Sequence, residues 1–217
     1  MMIRRQSVAA LALLAAAAWA PRHLTAAGQT EAPDRPVILA VGESTTAGYG
    51  VDRELSYPAQ LEQRLNERGY HYRVVNHGVS GSTTQAALAR LDRGLALKPS
   101  IVIIALGGND AGSRLPIETT RANLGKLISM FKRVGAEVFV TNRNLPGGGQ
   151  DGGSIFAELA REYHAVLLPP LTSGVAGHPD LLIEDGSHPN AEGYTIIVRN
   201  LLAVIEPYLK KDAQIRP

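Results

Sequence analysis

Four short polar stretches of the sequence each contain a residue type that is used in acyl-transfer chemistry. Ser44 follows an apolar run that begins at Val37, and a serine among small residues is a candidate nucleophile. A neutral serine needs a base, and His188 is the best-placed histidine because Asp185 lies three residues before it. The Asp185 carboxylate can accept a hydrogen bond from the second ring nitrogen and orient the imidazole. We therefore predict that Ser44, His188 and Asp185 form a catalytic triad.

The same chemistry needs hydrogen-bond donors for the negative charge that develops on the carbonyl oxygen. Gly78 and Asn109 both lie at the end of a strand-like run, in the stretches Asn-His-Gly and Gly-Gly-Asn-Asp. We expect the Ser44 amide, the Gly78 amide and the Asn109 side-chain amide to form an oxyanion hole, with the missing Cβ of Gly78 leaving room for substrate. Taken singly, each residue also suits a turn or a helix cap. The sequence has no His-Glu-x-x-His motif or comparable cluster, so we expect no metal site.

These residues become neighbours if strands and helices alternate along the chain. Short apolar runs predict strands at 37–42, 72–76, 101–106, 138–140 and 165–168. Amphipathic spacing predicts helices at 56–69, 82–97, 124–131 and 154–163, and a last helix from Asn190. The alternation predicts an α/β fold with a five-stranded parallel sheet and helices on both faces. Ligands collect at the carboxyl ends of parallel strands, so all four polar stretches are expected at one sheet edge.

The first residues have the composition of an export signal. Arg4 and Arg5 precede an acid-free apolar run at 8–20, and small residues follow at 25–27. That run is shorter than the roughly 20 residues that a membrane-spanning helix needs. We expect residues 1–27 to be a signal peptide, 28–35 a flexible lead-in and 36–210 the folded domain, in the periplasm or secreted. An uncleaved membrane anchor is the alternative.

Composition argues against several classes of partner and chemistry. Without residues 1–27, three arginines and no acidic residue are removed, so the formal charge changes from +2 to −1. A chain with no basic excess is not expected to bind nucleic acid. The absence of cysteine excludes disulfides and thiol catalysis. We expect a monomer, without stable membrane insertion after signal cleavage, that acts on a small-molecule ester or thioester.

Together the four stretches resemble the signature blocks of the SGNH (GDSL-type) hydrolases, in the order and spacing of that family. The resemblance covers residues 36–209. It matches Ser44 to the nucleophile, Gly78 and Asn109 to oxyanion donors, His188 to the base and Asp185 to its orienting acid. It implies a three-layer, flavodoxin-like fold, no cofactor, and hydrolysis of esters or thioesters as in arylesterases, thioesterases and lysophospholipases.

Two departures from that family concern the nucleophile and the substrate. Glu43 stands where the family usually has Asp, and the glycine-rich segment 144–153 replaces an aromatic and Asn-containing segment. Glycines offer no side chains to an acyl chain, so an apolar lining falls to four residues, Leu115, Leu145, Pro146 and Leu181. Since each buried methylene contributes at most about 0.8 kcal/mol, we expect kcat/KM to rise only to roughly butyryl or hexanoyl esters.

Two other interpretations stay open. Related folds deacetylate sugars, so a carbohydrate O-acetyl esterase is the alternative enzyme, although residues 28–217 have no Trp and three Phe to stack on sugars. Outside enzymes, the alternative is a non-catalytic flavodoxin-like binding module. Turnover of a chromogenic short-chain ester would separate that module from both enzymes.

Overall fold

Five parallel strands form one sheet in the order β2-β1-β3-β4-β5 within residues 35–141 and 154–210, the part of the chain that the computed structural model describes. The strands are β1 (Val37–Gly42), β2 (Arg73–Gly78), β3 (Ile101–Ala105), β4 (Glu137–Thr141) and β5 (Val166–Leu168). The helices are α1 (Ser44–Ala47), α2 (Tyr57–Glu67), α3 (Thr84–Leu88), α4 (Leu91–Leu95), α5 (Gly108–Gly112), α6 (Ile117–Arg133), α7 (Ser154–Glu162) and α8 (Ala191–Ile205). The predicted α/β class and five-stranded parallel sheet are confirmed, and each strand end lies within two residues of its prediction.

The two faces of the sheet are covered by two apolar cores. Alternate side chains of the central strands, such as Ile38 and Leu39, point to opposite faces, as the two-residue period of a strand requires. One face packs on α2 and α8, and the other on α3, α4, α6 and α7. Because β1 and β3 are buried on both faces, their sequences are continuous apolar runs rather than alternating ones.

The carboxyl ends of β1, β2 and β3 lie level with one another. Gly42 pairs with Gly78 on one side and with Ala105 on the other. Consequently the segments that follow these strands, which carry Ser44, Gly81 and Asn109, leave the sheet at the same edge. This register brings residues far apart in sequence into one site.

The helix predicted at 82–97 is two helices, α3 and α4, separated at Ala89 and Arg90. Gly94 of α4 packs so closely on the core that an added Cβ would lie 3.1 Å from Leu39 and 3.2 Å from Phe131. Glycine at position 94 thus allows α4 to approach β1 and α6 closely. The short helices α1 and α5 were not predicted, because four or five residues show no amphipathic period.

Several predictions lie outside the described residues. They are the signal peptide at 1–27, all but the last residue of the lead-in at 28–35, Leu145, Pro146 and the glycines at 147–153. Among the helices of residues 35–141 and 154–210, none is both long and apolar enough to cross a membrane.

Candidate active site

Ser44 begins α1 directly beyond the carboxyl end of β1. The helix folds back tightly on the strand ends, and two glycines make room for it. A Cβ on Gly42 would lie 1.9 Å from Thr46 Oγ1, and a Cβ on Gly78 would lie 2.4 Å from the Ala47 nitrogen. Ser44 is thereby held at the sheet edge with its hydroxyl partly exposed.

A short loop before α8 supplies the acid and the base. Asp185 Oδ1 accepts hydrogen bonds from the backbone N–H groups of Ser187 and His188, both at 2.9 Å. The loop is closed by the Ile183 N–H, which donates to the His188 carbonyl at 2.9 Å. Asn190 then caps α8, its side-chain oxygen accepting from two backbone N–H groups at 3.0 Å. These five local hydrogen bonds hold the backbone of the loop that carries His188.

The three side chains form a continuous relay. His188 Nδ1 lies 2.6 Å from Asp185 Oδ2, and His188 Nε2 lies 2.8 Å from Ser44 Oγ. Because an ionised carboxylate only accepts hydrogen bonds, Nδ1 carries the ring proton and Nε2 is left to accept from the Ser44 hydroxyl. The structure therefore brings together the three residues predicted to form the triad.

Hydrogen bonds hold the Asp185 carboxylate in its charged form. The His188 backbone N–H, then the Ser187 N–H and the His188 ring, lower the pKa of Asp185 from 3.8 to about 2. The carboxylate is consequently ionised across the neutral range and can stabilise a positively charged His188 ring.

The Asn109 side chain is held by two buried partners, Glu43 and Ser82. Its Nδ2 donates to Glu43 Oε2 and, at 3.2 Å, to the Ser82 carbonyl, while its backbone N–H donates to the same Glu43 oxygen at 3.2 Å. Glu43 is 3% exposed. Glu43, which is longer than the Asp usual at this position, thus accepts two hydrogen bonds from Asn109. Both Nδ2 hydrogens are engaged, so a substrate oxyanion must take the place of one acceptor.

The Gly78 amide is placed differently from the prediction. Its N–H donates to Asn76 Oδ1 at 3.0 Å, and its missing Cβ makes room for α1 rather than for substrate. Three residues later, Gly81 lies exposed in a turn with φ +75, and no described residue accepts a hydrogen bond from its N–H. The next residue, Ser82, is the one that Asn109 contacts. Gly81 therefore offers a free amide in the residue that precedes this contact, and the signal for it is a glycine in the polar turn that follows β2.

Asp110, next to Asn109, fixes the position of α5, the helix that carries both residues. It is completely buried and accepts hydrogen bonds from the Thr84 N–H at 2.9 Å, from the Thr84 hydroxyl, and from the Thr120 hydroxyl at 3.2 Å. These bonds tie α5 to the start of α3 and to α6. No role for this carboxylate was predicted from the sequence.

The described candidates for substrate contact differ in exposure. Leu115, just beyond α5, is partly exposed, but Leu181 is 7% exposed and packs in the core under α8. Leu181 therefore offers a substrate little surface. Two exposed apolar side chains that were not predicted belong to the segments that follow β1 and β2. The Tyr49 ring centroid is 4.8 Å from that of His188, and Val79 adjoins Gly78.

The arrangement supplies a nucleophile, a base with an orienting acid, and amide groups in the segments that follow β2 and β3 at the same sheet edge. That set suits attack on a carbonyl carbon and stabilisation of the resulting oxyanion. In the part of the chain that is described, no three His, Asp or Glu side chains are grouped as metal ligands would be.

Comparison with known proteins gives consistent matches. The model of the GDSL-like Lipase/Acylhydrolase family matches residues 40–196. Esterase TesA of Pseudomonas aeruginosa is 32% identical over 178 residues, covering 79% of this chain and 89% of that protein. Thioesterase 1/protease 1/lysophospholipase L1 of Escherichia coli K12 is 29% identical over 182 residues, covering 81% and 86%. The crystal structure of TesA superposes with a TM-score of 0.74 at 32% identity, covering 79% of this chain and 98% of that one.

Proposed function

The chain belongs to the GDSL-like lipase/acylhydrolase family and is a hydrolase of the SGNH type, and from this premise we propose that Ser44, His188 and Asp185 hydrolyse short- to medium-chain acyl esters or thioesters. The observation that carries the proposal is the unbroken relay from Ser44 Oγ through both nitrogens of His188 to Asp185, at 2.8 and 2.6 Å. These distances are those of strong hydrogen bonds and need no rearrangement before proton transfer.

In the first half of the reaction, Ser44 Oγ attacks the carbonyl carbon while His188 Nε2 takes the hydroxyl proton. The Asp185 carboxylate stabilises the imidazolium without itself taking a proton. The tetrahedral intermediate then collapses, and the leaving alcohol or thiol takes the proton from His188. In the second half, His188 Nε2 takes a proton from a water whose oxygen attacks the acyl carbon. The bond between that carbon and Ser44 Oγ then breaks, Oγ takes the proton from His188, and the carboxylic acid leaves with the enzyme restored.

We assign the oxyanion to three donors: the Ser44 N–H, the Asn109 Nδ2 group and the Gly81 N–H. The Ser44 amide is among the first N–H groups of a helix, which have no partner inside the helix. Gly81 replaces the predicted Gly78 because the Gly78 N–H is already bonded to Asn76 whereas the Gly81 N–H is open.

A panel of substrates tests the reaction class. Wild type, Ser44→Ala and the control Ser80→Ala, an exposed serine in the turn after β2, are assayed with p-nitrophenyl esters, an acyl-CoA thioester and a lysophospholipid. We expect turnover and fluorophosphonate labelling in wild type and Ser80→Ala, and neither in Ser44→Ala. Full activity in Ser44→Ala, or labelling at another serine, would refute the assignment.

The oxyanion donors are tested by a structure of the protein phosphonylated at Ser44. The phosphonyl oxygen stands for the oxyanion, and we expect it within about 3.1 Å of the Gly81 nitrogen and of Asn109 Nδ2. Contact with the Gly78 nitrogen instead, with its bond to Asn76 broken, would restore the prediction from sequence.

Substrate size is the least constrained part of the proposal. Among described residues, Tyr49, Val79 and Leu115 give the site a small apolar surface. We therefore expect kcat/KM to level off near butyryl or hexanoyl esters. Efficiency that keeps rising to palmitoyl esters would contradict this. Acetylated xylo-oligosaccharides added to the panel test the O-acetyl esterase alternative, which requires them to be better substrates than butyryl esters.

We also propose export with cleavage near Ala27, as the basic start and short apolar run at 8–20 indicate. N-terminal sequencing of protein recovered from its native cells tests this. A new terminus near Gly28 supports export, and an intact Met1 on membrane-bound protein would instead support the anchor.

A further inference from the structure

Arg90 reaches back from the break between α3 and α4 to the strand ends beside Ser44. Its guanidinium Nη1 lies 2.7 Å from Ser82 Oγ, and its Nη2 lies 3.3 Å from the Gly42 carbonyl oxygen. The same Gly42 oxygen accepts from the Val79 N–H at 3.1 Å. Two donors from different elements therefore converge on one carbonyl at the end of β1.

The two acceptors of Arg90 belong to the two segments that flank the proposed oxyanion hole. The Gly42 carbonyl lies at the end of β1, two residues before Ser44. The other, Ser82, follows Gly81 and offers its carbonyl to the Asn109 side chain at 3.2 Å. A single side chain thus connects the segments that carry or contact all three proposed donors.

The position of Arg90 is costly for a residue with only a packing role. Burial lowers the pKa of the guanidinium, and its Nε is buried without a hydrogen-bond partner among the described residues. A partly buried charged group that gives up part of its hydration must recover the loss through its contacts. The planar fork of arginine can donate to two acceptors at once, which the single ammonium of lysine does less well.

We propose that Arg90 is a positioning residue for the oxyanion hole, acting through its hydrogen bonds to the Gly42 carbonyl and the Ser82 hydroxyl. The inference rests on the proposed function. If these bonds are lost, the turn with Gly81 and the Asn109 contact shift relative to Ser44. A misplacement of about 1 Å costs on the order of 10²-fold in rate. Because the donors bind the transition state more tightly than the ground state, kcat is affected rather than KM.

The test compares Arg90→Gln and Arg90→Lys with the control Arg93→Gln, which changes an exposed arginine three residues along the chain, in α4. With a short p-nitrophenyl ester, we expect Arg90→Gln to lower kcat about 10- to 100-fold with KM within about 3-fold. The Ki of a trifluoromethyl ketone, which forms an oxyanion adduct with a catalytic serine, should rise by the factor that kcat/KM falls. Arg90→Lys keeps the charge but loses the fork, so we expect a loss of at least about 5-fold. Arg93→Gln should match wild type.

If Arg90→Gln does not fold, Ser82→Ala tests the same contact from its other side. Ser82→Ala removes the hydroxyl acceptor but keeps the carbonyl that Asn109 contacts, and we expect kcat to fall about 3- to 10-fold without a change in KM. Thermal unfolding is measured for every variant, and Ser82→Ala decides alone if Arg90→Gln is unfolded. The proposal is overturned if folded Arg90→Gln or Ser82→Ala keeps the wild-type kcat and Ki, or if Arg90→Lys restores both.

Failure of the proposed function has a different signature. In that case wild type turns over no ester, or Ser44→Ala turns it over as well as wild type does. A wild type that depends on Ser44, together with an unaffected Arg90→Gln, overturns only the role of Arg90.

Discussion

The acid–base half of the site, Asp185 and His188, is built by contacts between residues that are close in sequence. The oxyanion half, around Asn109, is built by contacts between residues that are far apart in sequence. Asp185 and His188 are three residues apart, and one turn brings the carboxylate to the imidazole. Asn109 is instead held by Glu43, 66 residues earlier, and by Ser82, 27 residues earlier. The first half therefore depends on one loop, whereas the second depends on the register of β1, β2 and β3.

The two halves also differ in burial. The side chains of His188 and Asp185 are 22% and 35% exposed, whereas Glu43 is 3% exposed and Asp110 is completely buried. Water can solvate a group that loses its partner in the exposed half, but a buried group is left unsatisfied. We therefore expect polar substitutions to reduce mainly activity in the acid–base half, and to reduce stability as well in the oxyanion half.

Asp185→Asn should produce the largest effect among these changes. The amide cannot fix the ring proton on Nδ1, so we expect kcat to fall about 10⁴-fold, while the unfolding midpoint falls less than it does when the buried Asp110 is changed to Asn. Steady-state kinetics with a short ester and denaturant unfolding measure the two quantities. The control is Asp180→Asn, the same change at an exposed acid of the preceding segment. If the variant is destabilised enough for unfolding to account for its lost activity, the two halves do not differ as expected.

Asn109→Ala should lower kcat by about 10²–10³-fold, the cost of one lost oxyanion donor, with KM little changed. Kinetics are compared with the exposed control Asn66→Ala, and each rate is divided by the fraction folded, measured by circular dichroism. If the folded fraction of Asn109→Ala keeps full activity, Asn109 has only a structural role.

Asp110→Asn applies the same chemical change as Asp185→Asn to the buried half. An amide nitrogen placed against the Thr84 donors leaves a buried group unsatisfied, so we expect the free energy of unfolding to fall by about 1–3 kcal/mol. Urea unfolding measures this, and kcat per folded molecule should stay within about tenfold of wild type. An unchanged unfolding midpoint would show that the buried Asp110 carboxylate contributes no more to stability than the partly exposed Asp185 carboxylate.

The smallest effect concerns pH. The pKa of Asp185 is about 2 in the folded chain, below its ordinary value of 3.8, so the ionised carboxylate favours the folded state above about pH 4. That contribution is lost as the pH falls through about 2. The difference in unfolding free energy between wild type and Asp185→Asn should therefore narrow from pH 4 to pH 2. A constant difference would mean that the carboxylate has the same pKa in the unfolded chain.

Sequence patterns predicted the central strands and the composition of the acid–base half because both depend on local properties. An apolar run such as 101–106 has one stable environment, between two helical layers. Asp185 and His188 are close enough along the chain for their contact to be expected from spacing alone. The resemblance to the SGNH hydrolases, which the comparisons confirm, rested on short blocks of this kind.

Close packing and long-range contacts were not predictable in the same way. Gly78 was interpreted as an opening for substrate, but its missing Cβ accommodates α1, a helix too short to show a period. Leu181 was expected to line an acyl groove and lies in the core. In both cases the residue type was informative, while its neighbours depended on how distant elements pack.

Local patterns in the sequence are enough to predict the α/β alternation, the buried central strands and the residue types at the strand ends, because the periodicity and hydrophobicity of a segment do not depend on its distant neighbours. Which of those residues meet depends on the folded sheet. The register of β1, β2 and β3 places Glu43 and Ser82 on Asn109 and brings Arg90 to the Gly42 carbonyl. These contacts join residues 27 to 66 positions apart in the chain, and the alignment of the strand ends makes them possible.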